Sequence, residues 1–232
     1  MSAAHKKTDL KSDLKPDLKS DSKSEASSET RDDTAGRISA AATRLFAQKG
    51  YGGTSTKEIC EAAKVNIAAI HYHFGSKEEL YRSIIQKFGA SHIEAAERTL
   101  KIPHNKEEFK VRLEMYMEEI LVSLLKEPDI PRMIHREFEM GNLEYAEFFM
   151  STFMRLFETL ANFLSQAKKA GFISKEIDPK FAANVLFAQI SQTARMSEKG
   201  KDFMCGSLTE GPVRTKWIQQ TVQVFLHGVA GQ

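Results

Sequence analysis

The chain has 232 residues, of which 41% are hydrophobic, enough for one large domain or for a small domain joined to a larger one. No apolar run approaches the roughly 18 residues that a membrane-spanning helix needs, and the N-terminus lacks the apolar segment of a secretory signal. Two cysteines, Cys60 and Cys205, are too few for a disulfide framework. The sequence therefore predicts a cytoplasmic protein with no membrane partner.

The net charge of +2 is distributed unevenly along the chain. Residues 34–89 contain eight Lys/Arg and four Asp/Glu, a net charge of +4, whereas residues 1–33 and 90–232 each carry −1. A local basic excess is typical of a surface that binds a polyanion. Segment 34–89 is therefore the first candidate for a nucleic-acid contact, although excesses of this size also arise by chance.

Residues 1–33 form a polar tail with no aromatic residue and with a four-residue repeat that begins at Asp9, Asp13, Asp17 and Asp21. Such a segment cannot bury enough apolar surface to offset the entropy lost on ordering. We expect it to be disordered and dispensable for folding, with at most a transient helix.

Four helices are predicted between Thr34 and Leu100. The first, from about 34 to 49, has one apolar face, formed by Ile38, Ala41, Ala42, Leu45 and Phe46. Ser55 and Glu58 form a capping box that opens a second helix, whose predicted inward residues are Ile59, Ala62 and Ala63. Asn66 caps a short third helix, and Ser76 opens a long fourth helix.

Glycine and proline divide the remainder into long helices. These are predicted at about 105–126, 131–140, 141–169, 179–198 and 213–229, and no alternating stretch predicts a strand. The expected fold is all-α, with an N-terminal three-helix unit at residues 34–80, a C-terminal helical bundle at residues 81–232, and about nine helices.

The second and third helices are joined by the tight turn at residues 64–66, which matches a helix-turn-helix. In such a pair the later helix enters the major groove of DNA. Ile70 and Phe74 are predicted to pack inward, so that the outward residues are Ile67, Ala68, Ala69, His71 and Tyr72. Small side chains allow a close approach, and their methyl groups suit contact with thymine methyls.

Residues 45–80 resemble the N-terminal signature of the tetracycline-repressor (TetR) family. The resemblance rests on LFAQKGY at 45–51, TST at 54–56, Ile59, AAKV at 62–65, YHF at 72–74 and SKEEL at 76–80. Two departures are Lys64, where the family usually has glycine, and His71, where it usually has an aromatic residue. The resemblance implies a cytoplasmic transcriptional regulator, most often a repressor, that binds double-stranded DNA.

The resemblance also implies which residues lie at the DNA. Thr56 is expected to bond a phosphate, Lys57 to contact a base, and the other positions to grip the backbone or to face base edges: Ile67, Ala68, Ala69, His71, Tyr72, His73 and Lys77. The alternatives are that Lys57 is only a solvated charge and that Tyr72 belongs to the core. A metal shared by His71 and His73 is not expected, because side chains two apart on a helix diverge.

The C-terminal part carries no catalytic motif, so neither enzymatic activity nor a cofactor is expected. It is rich in aromatic residues and methionines, which make either a plain core or, as the family resemblance implies, the wall of a ligand cavity. The predicted lining residues are Phe88, His92, Met115, Arg132, His135, Phe138, Phe153, Phe187 and Gln189. The expected occupant is a small apolar or aromatic effector, coupled to DNA through the fourth helix.

The last two helices are predicted to form a homodimer through a four-helix bundle. The predicted interface residues are Phe181, Val185, Leu186, Trp217, Ile218, Val222, Phe225 and Val229. The alternative is that these faces only close the core of each protomer. The sequence thus predicts a regulator that reads a palindromic operator and is released by an effector; the second interpretation is a DNA-binding protein of the same fold without an effector.

Overall fold

The computed structural model describes residues 21–141, 143–197 and 206–229. Within these ranges the backbone forms nine helices and no strand. They are α1 (Asp21–Lys49), α2 (Thr56–Ala63), α3 (Ile67–Phe74), α4 (Lys77–Thr99), α5 (Lys106–Lys126), α6 (Asp129–Glu139), α7 (Leu143–Lys169), α8 (Pro179–Met196) and α9 (Gly211–Val229). The predicted all-α fold is confirmed. None of these helices is both long and apolar enough to cross a membrane.

Helix α1 begins earlier than the sequence predicted. Its first residue is Asp21 rather than Thr34, so residues 21–33 are helical although their polar composition had predicted disorder. Extending an existing helix requires no new nucleus, and Asp33 pairs with Arg37 one turn later, at 3.3 Å. The first 20 residues of the predicted tail lie outside the described ranges.

Helices α1, α2, α3 and the start of α4 enclose a small filled core. Ile38, Phe46, Ile59 and Ile70 are completely buried there. The rings of Phe46, Tyr51 and Tyr81 lie 5.3 to 5.8 Å apart, a spacing typical of favourable aromatic pairs. Ala62, which was predicted to face inward, is exposed, because the buried face of α2 is formed by Ile59, Cys60 and Ala63.

Helices α4 to α9 form the C-terminal bundle. Phe109 and Phe163 stack at 5.3 Å in its interior, and Leu113, Leu160 and Leu164 are buried around them. Helix α4 contacts α1 and α3 as well as α5 and α7, so it spans both parts of the molecule. Helix α6 contacts α1 as well as α7 and α8, which makes it a second bridge.

Candidate nucleic-acid interface and buried cavity

The starts of α2 and α3 are fixed by capping hydrogen bonds. The Oγ of Ser55 accepts from the N–H of Glu58 at 3.2 Å, and the Ser55 N–H donates to the Glu58 carboxylate at 2.8 Å. Hydrogen bonds from Lys49 and from Ser55 hold the pKa of Glu58 at about 2, so this cap remains charged at neutral pH. At the start of α3, the Asn66 side chain accepts from the N–H of Ala69 at 3.0 Å.

Lys64 ends α2 in a left-handed conformation, with φ 55° and ψ 48°. Its N–H donates to the carbonyls of Cys60 and Glu61, which closes the last turn of α2. Glycine adopts this conformation without the steric cost that a Cβ brings. The turn therefore has the backbone geometry that suits glycine, although lysine occupies it.

Helix α3 has one buried side and one exposed side. Ile70 is completely buried and Phe74 is half-buried against the core. On the opposite side, Ile67 is 56% and Tyr72 66% exposed, and Ala68 and His71 are also exposed. Exposed apolar residues that lie together on one face can mark a binding surface, and in a helix-turn-helix the second helix enters the major groove. This face of α3 is therefore the best candidate for a groove-reading surface.

The remaining predicted DNA residues flank this face. Thr56 is half-buried at the start of α2, and Ala69 and His73 are half-buried on α3. Lys57 is largely exposed, and its Nζ lies 3.9 Å from the Glu61 carboxylate. An exposed pair of this kind is weak, so the lysine remains available to another anion.

His71 has a more restricted role than its exposure suggests. Its Nδ1 lies 2.8 Å from the carbonyl oxygen of Gly75, so Nδ1 carries the hydrogen in this contact, because a carbonyl only accepts. The ring can then donate from Nε2 to a phosphate only when it is protonated.

Lys77 was predicted to lie at the DNA backbone, but its side chain makes contacts within the protein instead. Its ammonium donates to the carbonyls of Tyr51 and Thr54, at 3.0 and 2.8 Å, and lies 4.1 Å from the centre of the Tyr51 ring. Burial lowers the pKa of Lys77. The side chain thus ties the α1–α2 loop to α4 instead of extending towards a phosphate.

Two charged residues at the end of α6 dock the bundle onto the helix-turn-helix unit. The Nη1 of Arg136 donates to the carbonyl of Gln48 at 2.8 Å, and the N–H of Tyr51 donates to Oε1 of Glu137 at 2.8 Å. Glu137 is only 5% exposed. Sequence reasoning missed this contact, which we call the α6 clasp (Arg136 and Glu137). The signal was present, because Glu137 continues the buried series Ile130, Met133 and Ile134 at helical spacing.

The bundle contains a cavity of about 590 Å³ between α4, α5, α6, α7 and α8. This volume is in the range of sites that bind drug-sized molecules. Five predicted lining residues meet there: Phe88, His92, His135, Phe153 and Phe187. Lining residues that the sequence reasoning missed include Tyr116, Ile120, Ile134, Phe149, Gln192 and Arg195.

Three other predicted lining residues lie elsewhere. Met115 and Gln189 are exposed, because α5 and α8 turn neighbouring residues such as Tyr116 and Ile190 towards the cavity instead. Arg132 is exposed and pairs with Asp129 at 3.1 Å. The side chain of Phe138 lies outside the described part of the structure.

Polar groups are few around the cavity. His135 lines it and pairs through Nε2 with Glu139 at 2.9 Å, and Arg195 donates to Gln192 at the end of α8. His92 is a deeply buried polar residue of the cavity wall, at 3% exposure. Its Nδ1 lies 2.7 Å from the carbonyl oxygen of Phe88. Burial lowers the pKa of His92, which favours the neutral imidazole.

The predicted dimer residues divide into two groups. Leu186, Ile218 and Val222 are buried within the protomer; the prediction that they form an interface was wrong, because their spacing marks the face that packs on the protomer's own core. Phe181 and Val185 are exposed, whereas Trp217 and Phe225 are half-buried. Val224, which was not predicted, is 72% exposed. The side chain of Val229 lies outside the described part.

Comparisons with known proteins agree with this architecture. Residues 38–84 match the family model described as "Bacterial regulatory proteins, tetR family". The probable HTH-type transcriptional regulator YttP of Bacillus subtilis is 42% identical over 55 residues, which are 24% of this chain and 27% of that protein. The chain thus matches about a quarter of the length of this relative.

Two longer similarities extend into the bundle. The HTH-type transcriptional regulator TtgR of Pseudomonas putida is 25% identical over 172 residues, covering 70% of this chain and 79% of that protein. The solved structure of the fatty acid degradation regulator FadR from Bacillus halodurans superposes with a TM-score of 0.67 at 17% identity, covering 84% and 95% of the two chains. The fold and site thus define an all-helical helix-turn-helix protein. Its residues 38–84 are similar to the helix-turn-helix segment of the TetR family.

Proposed function

We propose that this chain is a transcriptional regulator, acting as a repressor, that binds a palindromic DNA operator as a homodimer and releases it when a small apolar or aromatic effector enters the cavity. One observation carries the proposal. The exposed apolar face of α3 and the 590 Å³ cavity lie in two parts of the molecule that α4 and α6 connect.

Helix α4 supports the coupling through its two ends. Its start contacts α3 and supplies Lys77 to the α1–α2 loop, and its later part supplies Phe88 and His92 to the cavity. Helix α6 offers a second route, because Ile134 and His135, which line the cavity, directly precede the α6 clasp in the sequence. A ligand that prefers one arrangement of these helices changes DNA affinity by its differential binding energy, typically about 1–3 kcal/mol.

DNA recognition is tested by selecting fragments from a random duplex library with the full chain and then measuring affinity for the selected operator. Lys57→Ala should relax the preference at one base pair, at a cost of about 1–3 kcal/mol. Tyr72→Ala should weaken all sequences alike, because phosphate contacts carry no sequence information. Lys175→Ala, which removes an exposed lysine from the α7–α8 loop, is the control for loss of one charge.

Wild-type affinity and salt dependence in both variants would contradict the assignment of α2 and α3 to DNA. Effector control is tested separately, by screening apolar and aromatic compounds for thermal stabilisation and for release of the operator. Stabilisation without release would favour the alternative of a DNA-binding protein that no effector controls.

The homodimer is proposed from the exposed apolar residues of α8 and α9. Phe181 and Val224 are 69% and 72% exposed, respectively, and a two-fold pairing of these helices would hold two α3 helices at the half-site spacing of about 34–36 Å. Phe181→Glu should lower the mass in light scattering from dimer to monomer. Ile102→Glu alters another exposed apolar residue, in the α4–α5 connection, and should leave the mass unchanged; a monomeric wild type would rule out the dimer.

A further inference from the structure

His92 is a polar residue in an otherwise aromatic part of the cavity wall. Its ring centre lies 4.2 Å from that of Phe88 and 6.4 Å from that of Phe153, and Phe149 stacks on Phe153 at 4.3 Å. The residue is 97% buried, at 3% exposure. An imidazole in this environment needs partners for both ring nitrogens, because an unmade hydrogen bond is costly where water is absent.

Only one of the two nitrogens has a partner. Nδ1 lies 2.7 Å from the carbonyl oxygen of Phe88, and because a carbonyl only accepts, Nδ1 carries the hydrogen. In the neutral ring, Nε2 then presents a lone pair and can only accept. Among the residues that the structure describes, no group donates to this buried Nε2.

We propose that Nε2 of His92 accepts a hydrogen bond from the effector, which is therefore an apolar molecule that carries a hydroxyl or N–H donor on its buried part. This inference rests on the proposed role of the cavity as the effector site and narrows the chemical class of its ligand. The aromatic wall binds the apolar body, and the unpaired acceptor Nε2 selects the donor. An ether of the same shape leaves Nε2 unpaired and brings a second lone pair against it.

The test compares 4-phenylphenol with 4-methoxybiphenyl, and dodecan-1-ol with 1-methoxydodecane, by calorimetric titration of the full chain. Within each pair the donor is replaced by a methyl ether while the apolar body is kept. We expect the donor compound to bind the wild type at least about tenfold more tightly than its ether, the size of effect that one buried hydrogen bond produces.

Three variants assign the preference to Nε2. His92→Phe keeps an aromatic ring without an acceptor, so the preference for the donor compound should be lost or reversed, because its hydroxyl is then buried without a partner. His92→Gln restores an acceptor oxygen and should retain most of the preference. His104→Gln changes an exposed imidazole in the α4–α5 connection, which is not among the cavity-lining residues, and should leave the preference unchanged. Thermal unfolding of each variant establishes that it is folded.

The outcomes separate this inference from the proposed function. Equal binding of donor and ether by the wild type, or a preference that persists in His92→Phe, overturns the hydrogen bond while leaving the cavity as a ligand site. If neither member of either pair binds, the inference fails together with the effector part of the proposed function. Operator binding, measured on the same preparations, shows independently whether the DNA-binding part still holds.

Discussion

In the helix-turn-helix unit, the rings of Phe46, Tyr51 and Tyr81 pack on one another at 5.3 to 5.8 Å and fill the core. In the C-terminal bundle, Phe88, Phe149 and Phe153 also lie close together, yet they line a cavity of about 590 Å³. The same residue type therefore closes one interior and leaves another open.

The difference follows from how many helices each part has to bury its apolar surface. The core of the helix-turn-helix unit is enclosed only by α1, the two short helices α2 and α3, and the start of α4. A domain this small buries too little surface to tolerate voids. The bundle has six helices to share the burial of apolar surface, so it can leave a space that a ligand fills. We therefore expect added volume to change the free energy of unfolding differently in the two parts. The contacts between them and the protonation of the cavity wall provide further tests.

The largest difference is expected when the same substitution, isoleucine to phenylalanine, is made in each of the two interiors and the free energy of unfolding is compared. Ile59 is completely buried in the filled core, and Ile120 is buried at the cavity wall. Ile59→Phe should lower the free energy of unfolding by about 1–3 kcal/mol, because extra volume in a packed core forces strained rotamers. Ile120→Phe should change it by less than about 1 kcal/mol, because the larger ring can enter the cavity. Urea denaturation measures both.

The affinity for a ligand provides a second measurement on the same two variants. Ile120→Phe should weaken binding of 4-phenylphenol by occupying part of the cavity, whereas a folded Ile59→Phe protein should bind it as the wild type does. Equal destabilisation by the two substitutions would show that the cavity closes in solution.

Much of the fold was predictable because the sequence signals for a helix lie within or next to that helix. Amphipathic spacing, the capping box at Ser55 and the cap at Asn66 each act within a few residues, and all are present in the structure. The start of α1 was missed because its residues 21–33 have no apolar face. The pattern of α8 and α9 revealed apolar faces but not what covers them, so Leu186 and Val222 were placed at an interface although they are core residues.

The site was less predictable, since it depends on the direction that each long side chain takes and on contacts between residues distant in the sequence. A resemblance to the family placed Lys77 near DNA, but only the structure reveals that its ammonium binds the carbonyl of Thr54. The bond between Tyr51 and Glu137 joins residues 86 positions apart. Periodicity selected Phe88 and His92 for the cavity, yet it could not separate Tyr116, which lines the wall, from Met115, which is exposed.

The α6 clasp allows the connection between the two parts to be broken directly. Glu137→Ala removes the buried acceptor of the Tyr51 N–H and should cost about 1.5–3 kcal/mol of unfolding free energy, the range for a hydrogen bond to a charged group. Glu139→Ala removes an exposed carboxylate that pairs with His135 and should cost less than about 1 kcal/mol. Both are measured by urea denaturation.

If the clasp also transmits the signal, Glu137→Ala should bind the effector and the operator separately but show less release of one by the other. Unchanged release in a folded Glu137→Ala protein would leave α4 as the connection that matters.

A pH titration should distinguish the buried imidazole of the cavity from exposed histidines. Burial lowers the pKa of His92 below its ordinary value of 6.5, so below that pH the unfolded chain binds a proton that the folded chain resists. Unfolding free energy should therefore fall as the pH drops through 6.5 towards the folded pKa, by at most about 1.4 kcal/mol per pH unit for one group.

Urea denaturation at pH 7.5 and at pH 5.5 measures this slope, and His92→Gln should reduce it. A slope that is the same in His92→Gln and the wild type would mean that the folded and unfolded states bind a proton at His92 equally readily, so that burial does not lower its pKa.

The smallest expected effect is at the turn between α2 and α3. Lys64 has φ 55° and ψ 48°, a conformation that costs a residue with a Cβ about 1–2 kcal/mol. Lys64→Gly should remove this cost, but glycine also gives the unfolded chain more freedom, which offsets about 0.5–1 kcal/mol of the gain. The net result should be a stabilisation of up to about 1 kcal/mol in urea denaturation. Lys64→Ala keeps the Cβ while removing the same charge, so it should not stabilise. Equal stability of the glycine and alanine variants would mean that the turn relaxes away from the left-handed conformation, and that the position of α3 depends on its packing through Ile70 rather than on this turn.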